Sequence, residues 1–248
     1  MIHIVTGATH GIGRACVELL SRQGHQVLAT GRDLQAGSDI AGLPGCLFVP
    51  GDVSQPEDVI RIVEAAMATG GGRIAGLVNN AGMSRRVAFL ESQVEDWDQV
   101  LDVNARSAFL FTRHALPGLI AGRGSVVNVS SIAGKVGEEG LALYCASKAA
   151  LLGMTQALAL EFGADVRFNA VCPGQIMTRM MGSILAADEK RQRLELRIPA
   201  GRFGTPEEVA DVIAWLLSSA SSYVNGAIIT VDGGEIAGLR TPREVGER

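Results

Sequence analysis

The sequence predicts an α/β protein: a single doubly wound domain whose parallel sheet of about seven strands has helices on both faces. Two observations support this fold class. Short runs of β-branched residues alternate with longer segments that repeat apolar residues at helical spacing. Glycine-rich or polar turns follow several of these runs, and 31 glycines suit tight strand-to-helix turns. The domain is predicted to span residues 1–234, followed by a charged, loosely held tail, 235–248.

The first strand, turn and helix predict a dinucleotide site. An apolar run at 2–5 leads into a turn at 6–13 with the spacing G-x-x-x-G-x-G, and a helical pattern follows at 14–22. Glycines there let the backbone approach a pyrophosphate, whose charge then meets the helix N-terminus. The alternative is a glycine-rich turn without a ligand. The predicted cofactor contacts in this turn are Gly7, Thr9, His10, Gly11 and Ile12.

The end of the second predicted strand, 26–30, bears on which dinucleotide is bound. An acidic residue at this position would accept a hydrogen bond from the ribose 2′-hydroxyl, but the chain has Gly31 followed by Arg32. An arginine suits a 2′-phosphate, and His10 lies in the neighbouring turn. NADP is therefore the predicted cofactor, and NAD is the alternative. Arg32 has two other open roles: pairing with Asp33 on a solvated loop, or stacking on the adenine.

Two further strands are predicted, 46–49 and 74–78, and each ends in residues that suit a cofactor site. The end of the first is expected beside the adenine pocket, and the end of the second at the centre of the sheet. A long, mostly apolar helical pattern then covers 95–119 and contains Asn104. Asparagine lowers helix propensity, so Asn104 either binds backbone or water or lies on a wet face. The predicted cofactor contacts at the two strand ends are Asp52, Val53, Asn80, Ala81 and Gly82.

The fifth strand, 125–130, leads into the candidate catalytic residues. If Tyr144 opens a helix, Tyr144 and Lys148 lie one turn apart on one face. A free tyrosine has a pKa near ~10, and a nearby ammonium stabilises the phenolate and lowers that pKa. Ser131, on the loop opposite, is placed to hydrogen-bond a carbonyl or hydroxyl oxygen. Together they predict proton transfer to an alcohol or ketone; the alternative is a surface helix in which Tyr144 and Lys148 have no role.

The remaining segments complete the alternation of strands and helices. A strand is predicted at 166–172, a helix from 205, and a last strand at 227–231. The segment 179–198 is predicted to be a helical lid whose methionines line an adaptable apolar pocket; a core-packing helix with one charged face is the alternative. Because the carboxyl ends of parallel strands share one edge, the candidate residues are expected to converge there.

Composition excludes several function classes. A net charge of −4 and a pI near 5.6 do not suit a nucleic-acid-binding surface. The four cysteines show neither disulfide nor metal-ligand spacing, so no metal is predicted. No apolar run is long enough to cross a membrane, and no basic leader precedes the first strand. We therefore expect a cytoplasmic protein that binds neither nucleic acid nor membrane.

These motifs together resemble the short-chain dehydrogenase/reductase family, over about residues 2–234, in particular its 3-oxoacyl-acyl-carrier-protein reductase type. The resemblance implies a Rossmann-type NAD(P)-binding domain with Tyr144 as general acid in reduction and base in oxidation. It implies that Lys148 lowers the pKa of Tyr144 and binds the nicotinamide ribose, and that Ser131 orients the substrate oxygen. Asn104 would hold a proton-relaying water. The motifs that carry the resemblance are Thr6-Gly7-x-x-x-Gly11-Ile12-Gly13, Asn79-Asn80-Ala81-Gly82, the set Asn104, Ser131, Tyr144 and Lys148, and Pro173-Gly174 with Thr178.

The same resemblance implies that Tyr144 and Lys148 also contact the cofactor, and that the two long helices, near 95–119 and 144–162, build a homotetramer or homodimer. The charged pair Arg85 and Arg86 departs from the family pattern and suggests a small polar substrate with an arginine meeting a carboxylate; solvated loop charges are the alternative. The implied nicotinamide-side contacts are Pro173, Gly174, Ile176 and Thr178, and the predicted substrate contacts are Ser131, Tyr144, Arg85, Met177 and Met181.

The predicted function is an NAD(P)-dependent oxidoreductase that interconverts a secondary alcohol and a ketone on a small metabolite. The alternative within the family is a 3-oxoacyl-acyl-carrier-protein reductase of fatty-acid synthesis. Residues 164–166 lack the basic residue that such reductases tend to present, which counts against it. A non-catalytic NAD(P)-sensing regulator is the alternative from another class.

Overall fold

The computed structural model of the chain describes residues 1–182 and 187–239. These residues form a parallel seven-stranded sheet in the order β3-β2-β1-β4-β5-β6-β7. The chain winds outward from β1 to β3 and returns to the centre at β4, so the order reverses between β1 and β4 as in a doubly wound Rossmann-type fold. The predicted fold class is confirmed. The strands are β1 Ile2–Thr6, β2 Gln26–Gly31, β3 Cys46–Pro50, β4 Ile74–Asn79, β5 Ser125–Val129, β6 Arg167–Pro173 and β7 Ile228–Val231.

Helices cover both faces of this sheet, and two of them begin at signals that the sequence carries. Pro56 opens its helix with two acidic residues in the first turn. Thr205 and Glu208 form a reciprocal capping box. The helices are α1 Gly11–Arg22, α2 Leu34–Ala41, α3 Pro56–Thr69, α4 Val94–Leu101, α5 Ser107–Gly122, α6 Ala142–Phe162, α7 Asp188–Arg197 and α8 Pro206–Leu217.

The core consists of two apolar layers, one on each face of the sheet. Neighbouring residues of a strand point to opposite faces, so Val126 packs with Phe111 of α5 and Val127 packs with Leu20 of α1 and Ile213 of α8. Burial on both sides explains why β5 reads as a nearly continuous apolar run.

The helical pattern at 95–119 is not one continuous helix. A π-helical turn, Asp102–Arg106, separates α4 from α5 and contains the buried Asn104. The side chain of Asn104 bonds the backbone of Met83, which lies outside the helix. This competition is the physical reason for the irregular turn, and π-turns are frequent at functional sites.

The predicted lid and tail are described only in part. The lid begins with a 3-10 turn, Arg179–Met181, and ends with α7, which has no buried residue. Residues 183–186, within the predicted lid, lie outside the described residues, as do tail residues 240–248. Glu235, at the expected start of the tail, instead has a side chain that is only 2% exposed, with its carboxylate 2.9 Å from Arg197 Nη2.

α6 alone among the described helices is long and apolar enough to cross a membrane by length and composition. It nevertheless contains the buried Lys148 and packs against β5 and β6. These are features of a helix in a protein core.

A chain of buried polar side chains ties α6 to the centre of the sheet. Asn79 Nδ2 donates to Asn128 Oδ1 at 2.8 Å, and Asn128 Nδ2 donates to Thr155 Oγ1 at 2.8 Å. Asn128 and Thr155 are completely buried. The Asn128 side-chain amide therefore bonds both neighbours in a place where water cannot replace it.

Replacing the central member should destabilise the fold measurably. Asn128→Ala leaves Asn79 and Thr155 without their shared partner, and we expect the free energy of unfolding to fall by about 2–4 kcal/mol. Urea denaturation followed by circular dichroism measures this loss. Gln156→Ala, at an exposed position of α6, is the control and should change the free energy of unfolding by less than about 0.5 kcal/mol. Equal losses in both variants would contradict the structural role of Asn128.

Candidate active site

A large cleft, with a volume of about 1860 Å³, opens at the carboxyl edge of the sheet. Turns that follow six of the strands line it, as the doubly wound topology requires. The cleft is larger than an ordinary small-ligand pocket of about 300–1,000 Å³, so it has room for a dinucleotide and a substrate together. Every predicted site residue lines it except Asn104 and Met177.

The glycine turn has the backbone geometry of a pyrophosphate cradle. Gly7 and Gly11 have φ of +62° and +53°, a left-handed conformation that favours glycine. α1 begins at Gly11 with no side-chain cap and no acidic residue in its first turn, so its N–H groups are available to an anion. A Cβ on Gly13 would lie 2.5 Å from Asn80 Nδ2. These residues therefore fit a dinucleotide.

Asn80 holds this turn in place. Its Nδ2 donates to the carbonyl oxygens of Thr6 and Gly7 at 2.9 and 3.1 Å. The backbone N–H groups of Asn80 and Ala81 both donate to Thr6 Oγ1 at 3.0 Å. The side-chain amide nitrogen of Asn80 thus positions the turn that would bind the cofactor. The hydroxyl of Thr6, which the sequence analysis names only as part of the glycine motif, completes the link between β1 and β4.

Arg32 lines the cleft directly after β2, with 80% of its side chain exposed. Its Nη1 is 3.6 Å from Asp52 Oδ2, whereas Asp33 caps α2 by accepting from Ala36 N. The alternative in which Arg32 pairs with Asp33 is therefore not the arrangement found. Burial alone would raise the pKa of Asp52, but hydrogen bonds from Ser54 and the charge of Arg32 outweigh it and lower this pKa.

The catalytic candidates meet where β5 approaches α6. Lys148 Nζ donates to the carbonyl oxygen of Val129 at 2.8 Å and lies 5.8 Å from the centroid of the Tyr144 ring. Ser130 Oγ donates to the carbonyl oxygen of Lys148 at 2.8 Å, which fixes α6 against the end of β5. Ser131 caps the next turn, since its Oγ accepts from Ala133 N at 3.1 Å. The predicted one-turn spacing of Tyr144 and Lys148 is confirmed.

Burial is the main cause of the pKa shifts of Lys148 and Tyr144. It lowers the pKa of Lys148 to about 8. It raises the pKa of Tyr144 above the usual range, while the hydrogen bond with Ser131 opposes this and the charge of Glu138 adds to it. A net lowering of the Tyr144 pKa is thus not found in the chain by itself, because desolvation of the phenolate dominates. The effect of Lys148 on this pKa stays a prediction. At neutral pH the phenol carries its proton.

The comparisons with known proteins agree with this geometry. A family model described as "Enoyl-(Acyl carrier protein) reductase", of the short-chain dehydrogenase/reductase type, matches residues 7–235. The chain belongs to the short-chain dehydrogenase/reductase family. It is 41% identical to 3-oxoacyl-[acyl-carrier-protein] reductase FabG of Thermotoga maritima over 239 residues, which cover 93% of this chain and 96% of that protein.

Other members of the family act on different substrates. The chain is 37% identical to meso-2,3-butanediol dehydrogenase of Serratia marcescens over 246 residues, covering 98% of this chain and 97% of that protein. A solved structure, provisionally described as an NAD(P)-dependent gluconate 5-dehydrogenase of Beutenbergia cavernae with bound NADP, superposes with a TM-score of 0.89 at 36% identity, covering 96% and 97% of the two chains. This chain is accordingly an NAD(P)-dependent oxidoreductase that interconverts alcohols and ketones.

Asn104 has a well-defined place in this dehydrogenase/reductase. Its Oδ1 accepts from Met83 N at 2.8 Å, and its Nδ2 donates to Met83 O and to Ser147 Oγ, each at 2.9 Å. Of its two open roles, backbone binding is therefore correct. Gly82 lies between Asn104 and Lys148, since a Cβ there would be 3.4 Å from Asn104 Oδ1 and 3.2 Å from Lys148 Nζ. Ser147 completes this network and is not singled out by the sequence, because its role depends on the π-turn.

The charged residues at the mouth of the cleft are paired within the chain. Arg85 Nη2 lies 2.8 Å from Asp96 Oδ1, and Arg86 Nη2 lies 2.6 Å from Glu138 Oε1. Arg86 also donates to the carbonyl oxygen of Glu139. The carboxylates that these arginines meet therefore belong to the chain, and a substrate carboxylate would have to compete with them.

The two methionines that were predicted to contact the substrate lie in different places. Met181 lines the cleft, but Met177 lies in a shallow outer pocket beside Arg14 and Pro206. The reason is the extended backbone before the lid: Ile176 pairs with Gly204 and turns its side chain inward, where it is buried. Its neighbour Met177 consequently faces outward. The sequence cannot distinguish the two methionines, because the alternation depends on pairing with a distant segment.

Proposed function

We propose that the chain transfers hydride reversibly between NADP(H) and a small hydroxy or keto metabolite, with Tyr144 as the acid and base. The observation that carries this proposal is the juxtaposition of Ser131, Tyr144 and Lys148 at the cleft edge that also holds the glycine turn. The bound dinucleotide supplies or accepts the hydride at the substrate carbon.

The chain's own residues handle the proton and the substrate oxygen. In ketone reduction, Tyr144 Oη gives its proton to the carbonyl oxygen as the hydride reaches the carbon, which leaves an alcohol and a phenolate. Ser131 Oγ hydrogen-bonds the same oxygen and holds it against the phenol. The ammonium of Lys148 stabilises the phenolate until solvent returns the proton. In alcohol oxidation the same steps run in reverse.

The preference for NADP is part of the proposal. It is supported by the exposed guanidinium of Arg32 and by the absence of an acidic side chain at Gly31, the last residue of β2. A 2′-phosphate would accept charge-assisted hydrogen bonds from Arg32 without displacing a buried partner. Asp52, which lies 3.6 Å from Arg32, keeps this guanidinium near the adenosine end.

For the substrate, we propose a small polar alcohol or ketone, with Ser131, Tyr144, Arg85 and Met181 at its contact surface. The polar mouth of the cleft supports this choice. A 3-oxoacyl-acyl-carrier-protein reductase is the second candidate, because a relative at 41% identity bears that name. Measuring NADPH and NADH oxidation against ketones, hydroxy acids, sugars and acyl thioesters separates the two.

We further propose that residues 1–234 act as one domain in a cytoplasmic homotetramer or homodimer. The outward faces of α5 and α6 carry the exposed Phe109 and Leu160, and apolar side chains on neighbouring helices favour association. Light scattering of the purified chain measures the oligomeric state directly.

Tyr144→Phe should abolish turnover while leaving cofactor binding intact. The substitution removes only the proton that reaches the substrate oxygen, so we expect kcat to fall by about 10³-fold or more and the Kd for NADPH to change by less than about 2-fold. Tyr223→Phe changes the only other tyrosine, which is fully exposed, and should leave both values unchanged. Substantial turnover by Tyr144→Phe would refute the assigned role, and an unchanged biological output without turnover would favour the NAD(P)-sensing regulator.

Arg32→Ser should change the cofactor preference. We expect the Kd for NADPH to rise by about 10-fold and that for NADH to change by less than about 2-fold, since only NADPH carries the 2′-phosphate. Fluorescence titration measures both constants. Arg22→Ser, at an exposed arginine at the end of α1, is the matched control, and an equal loss of NADH affinity in Arg32→Ser would contradict the proposed phosphate contact.

A further inference from the structure

Three segments that are far apart in the chain meet at the outer end of the cleft. His10 belongs to the glycine turn, Asp33 caps α2, and Arg179 opens the 3-10 turn that follows β6. Asp33 Oδ2 lies 3.3 Å from His10 Nε2 and 3.9 Å from Arg179 Nη1. Arg179 Nη1 is also hydrogen-bonded to His10 Nε2. We call these three residues the latch.

The latch lies beside the cradle for the dinucleotide. All three residues line the cleft, as do their neighbours Thr9 and Gly31. Directly below, Thr178 contacts the glycine turn, since a Cβ on Gly11 would be 3.1 Å from Thr178 Cγ2. The segment that carries Arg179 therefore covers one wall of the cofactor site.

Within the described residues, polar contacts hold this covering segment at two points. Its start is fixed by Met177 N, which donates to Gly204 O at 2.9 Å, next to the bridge between Ile176 and Gly204. Its other attachment is the contact of Arg179 with Asp33 and His10. Asp33 is itself fixed in orientation by its role as the cap of α2. Its Oδ1 accepts from Ala36 N at 3.1 Å, while its Oδ2 lies near His10 and Arg179.

We propose that Arg179 is a cofactor-positioning residue, which holds the segment Thr178–Met181 over the glycine turn through Asp33 and slows release of the dinucleotide. Entry and exit of the cofactor then require the Arg179–Asp33 contact to open. The side chains of Arg179 and Asp33 are 72% and 40% exposed, so the contact is weak enough to open readily. It is also screened by salt, so release from the unmodified protein should become faster as salt is added.

The test is the rate of NADPH release from the full chain, measured by stopped-flow fluorescence. Arg179→Met removes the charge but keeps a long apolar side chain, and Asp33→Asn removes the charge but keeps an equally good helix cap. We expect each variant to release NADPH about 2–5-fold faster, and the double variant to be no faster than the faster single variant, because both break the same contact. The release rate of each variant should rise less steeply with salt than that of the unmodified protein, because the contact of Arg32 with the 2′-phosphate is still screened.

Arg193→Met is the matched control. Arg193 is equally exposed at 72% and pairs at 2.7 Å with Glu189 on α7, within the same part of the chain. This variant should release NADPH at the unmodified rate.

Two results would overturn the proposal. Unchanged release in Arg179→Met or Asp33→Asn would show that the latch does not retain the cofactor. Faster release in Arg179→Met combined with unchanged or slower release in Asp33→Asn would show that Arg179 binds a cofactor phosphate directly. The experiment measures only the release of NADPH. It rests on the binding of NAD(P) by the family, and its result does not depend on the proposed substrate or on the role of Tyr144.

Discussion

The active site depends on one hydrogen bond, from the ammonium of Lys148 to the carbonyl oxygen of Val129. It joins the middle of α6 to the end of β5, in a place where water is excluded. Burial of this ammonium lowers its pKa to about 8, so between pH 8 and the usual pKa of lysine the unfolded chain binds more protons than the folded one. This group therefore makes the fold more stable as pH rises through that window. A buried lysine that weakens the fold at neutral pH is expected where its charge serves catalysis.

The other catalytic features follow from holding that ammonium in place. Gly82 brings the end of the β4 loop against Lys148 and Asn104, where any side chain would lie within van der Waals range of both. Asn104 in turn binds the backbone at Met83, which interrupts a helix that would otherwise run straight past the cleft. Tyr144, one turn before Lys148, is thereby presented beside Ser131 at the carboxyl edge of the sheet.

Much of this arrangement could be predicted from the sequence, because strands buried on both faces and capped helices leave strong local signals. The strand ends at Ser131 and Asn80 identified the correct edge of the sheet. Contacts between distant segments left no such signal. The pairing of Ile176 with Gly204 turns Met177 away from the cleft. Arg85 forms an ion pair with Asp96, so a substrate carboxylate would compete with Asp96 for it. The direction of the Tyr144 pKa was also missed, because depth of burial depends on the whole fold.

The central claim is that Tyr144 exchanges a proton with the substrate oxygen and that an oxidised nicotinamide beside it makes the buried phenol acidic enough to do so. The chain contains two tyrosines, so Tyr223→Phe leaves Tyr144 as the only phenol and its ionisation can be followed by ultraviolet difference absorption during a pH titration. We expect a pKa above the usual tyrosine range for the protein alone, as burial requires, and a clear decrease when NADP⁺ is bound. A pKa that does not fall on binding NADP⁺ would contradict it.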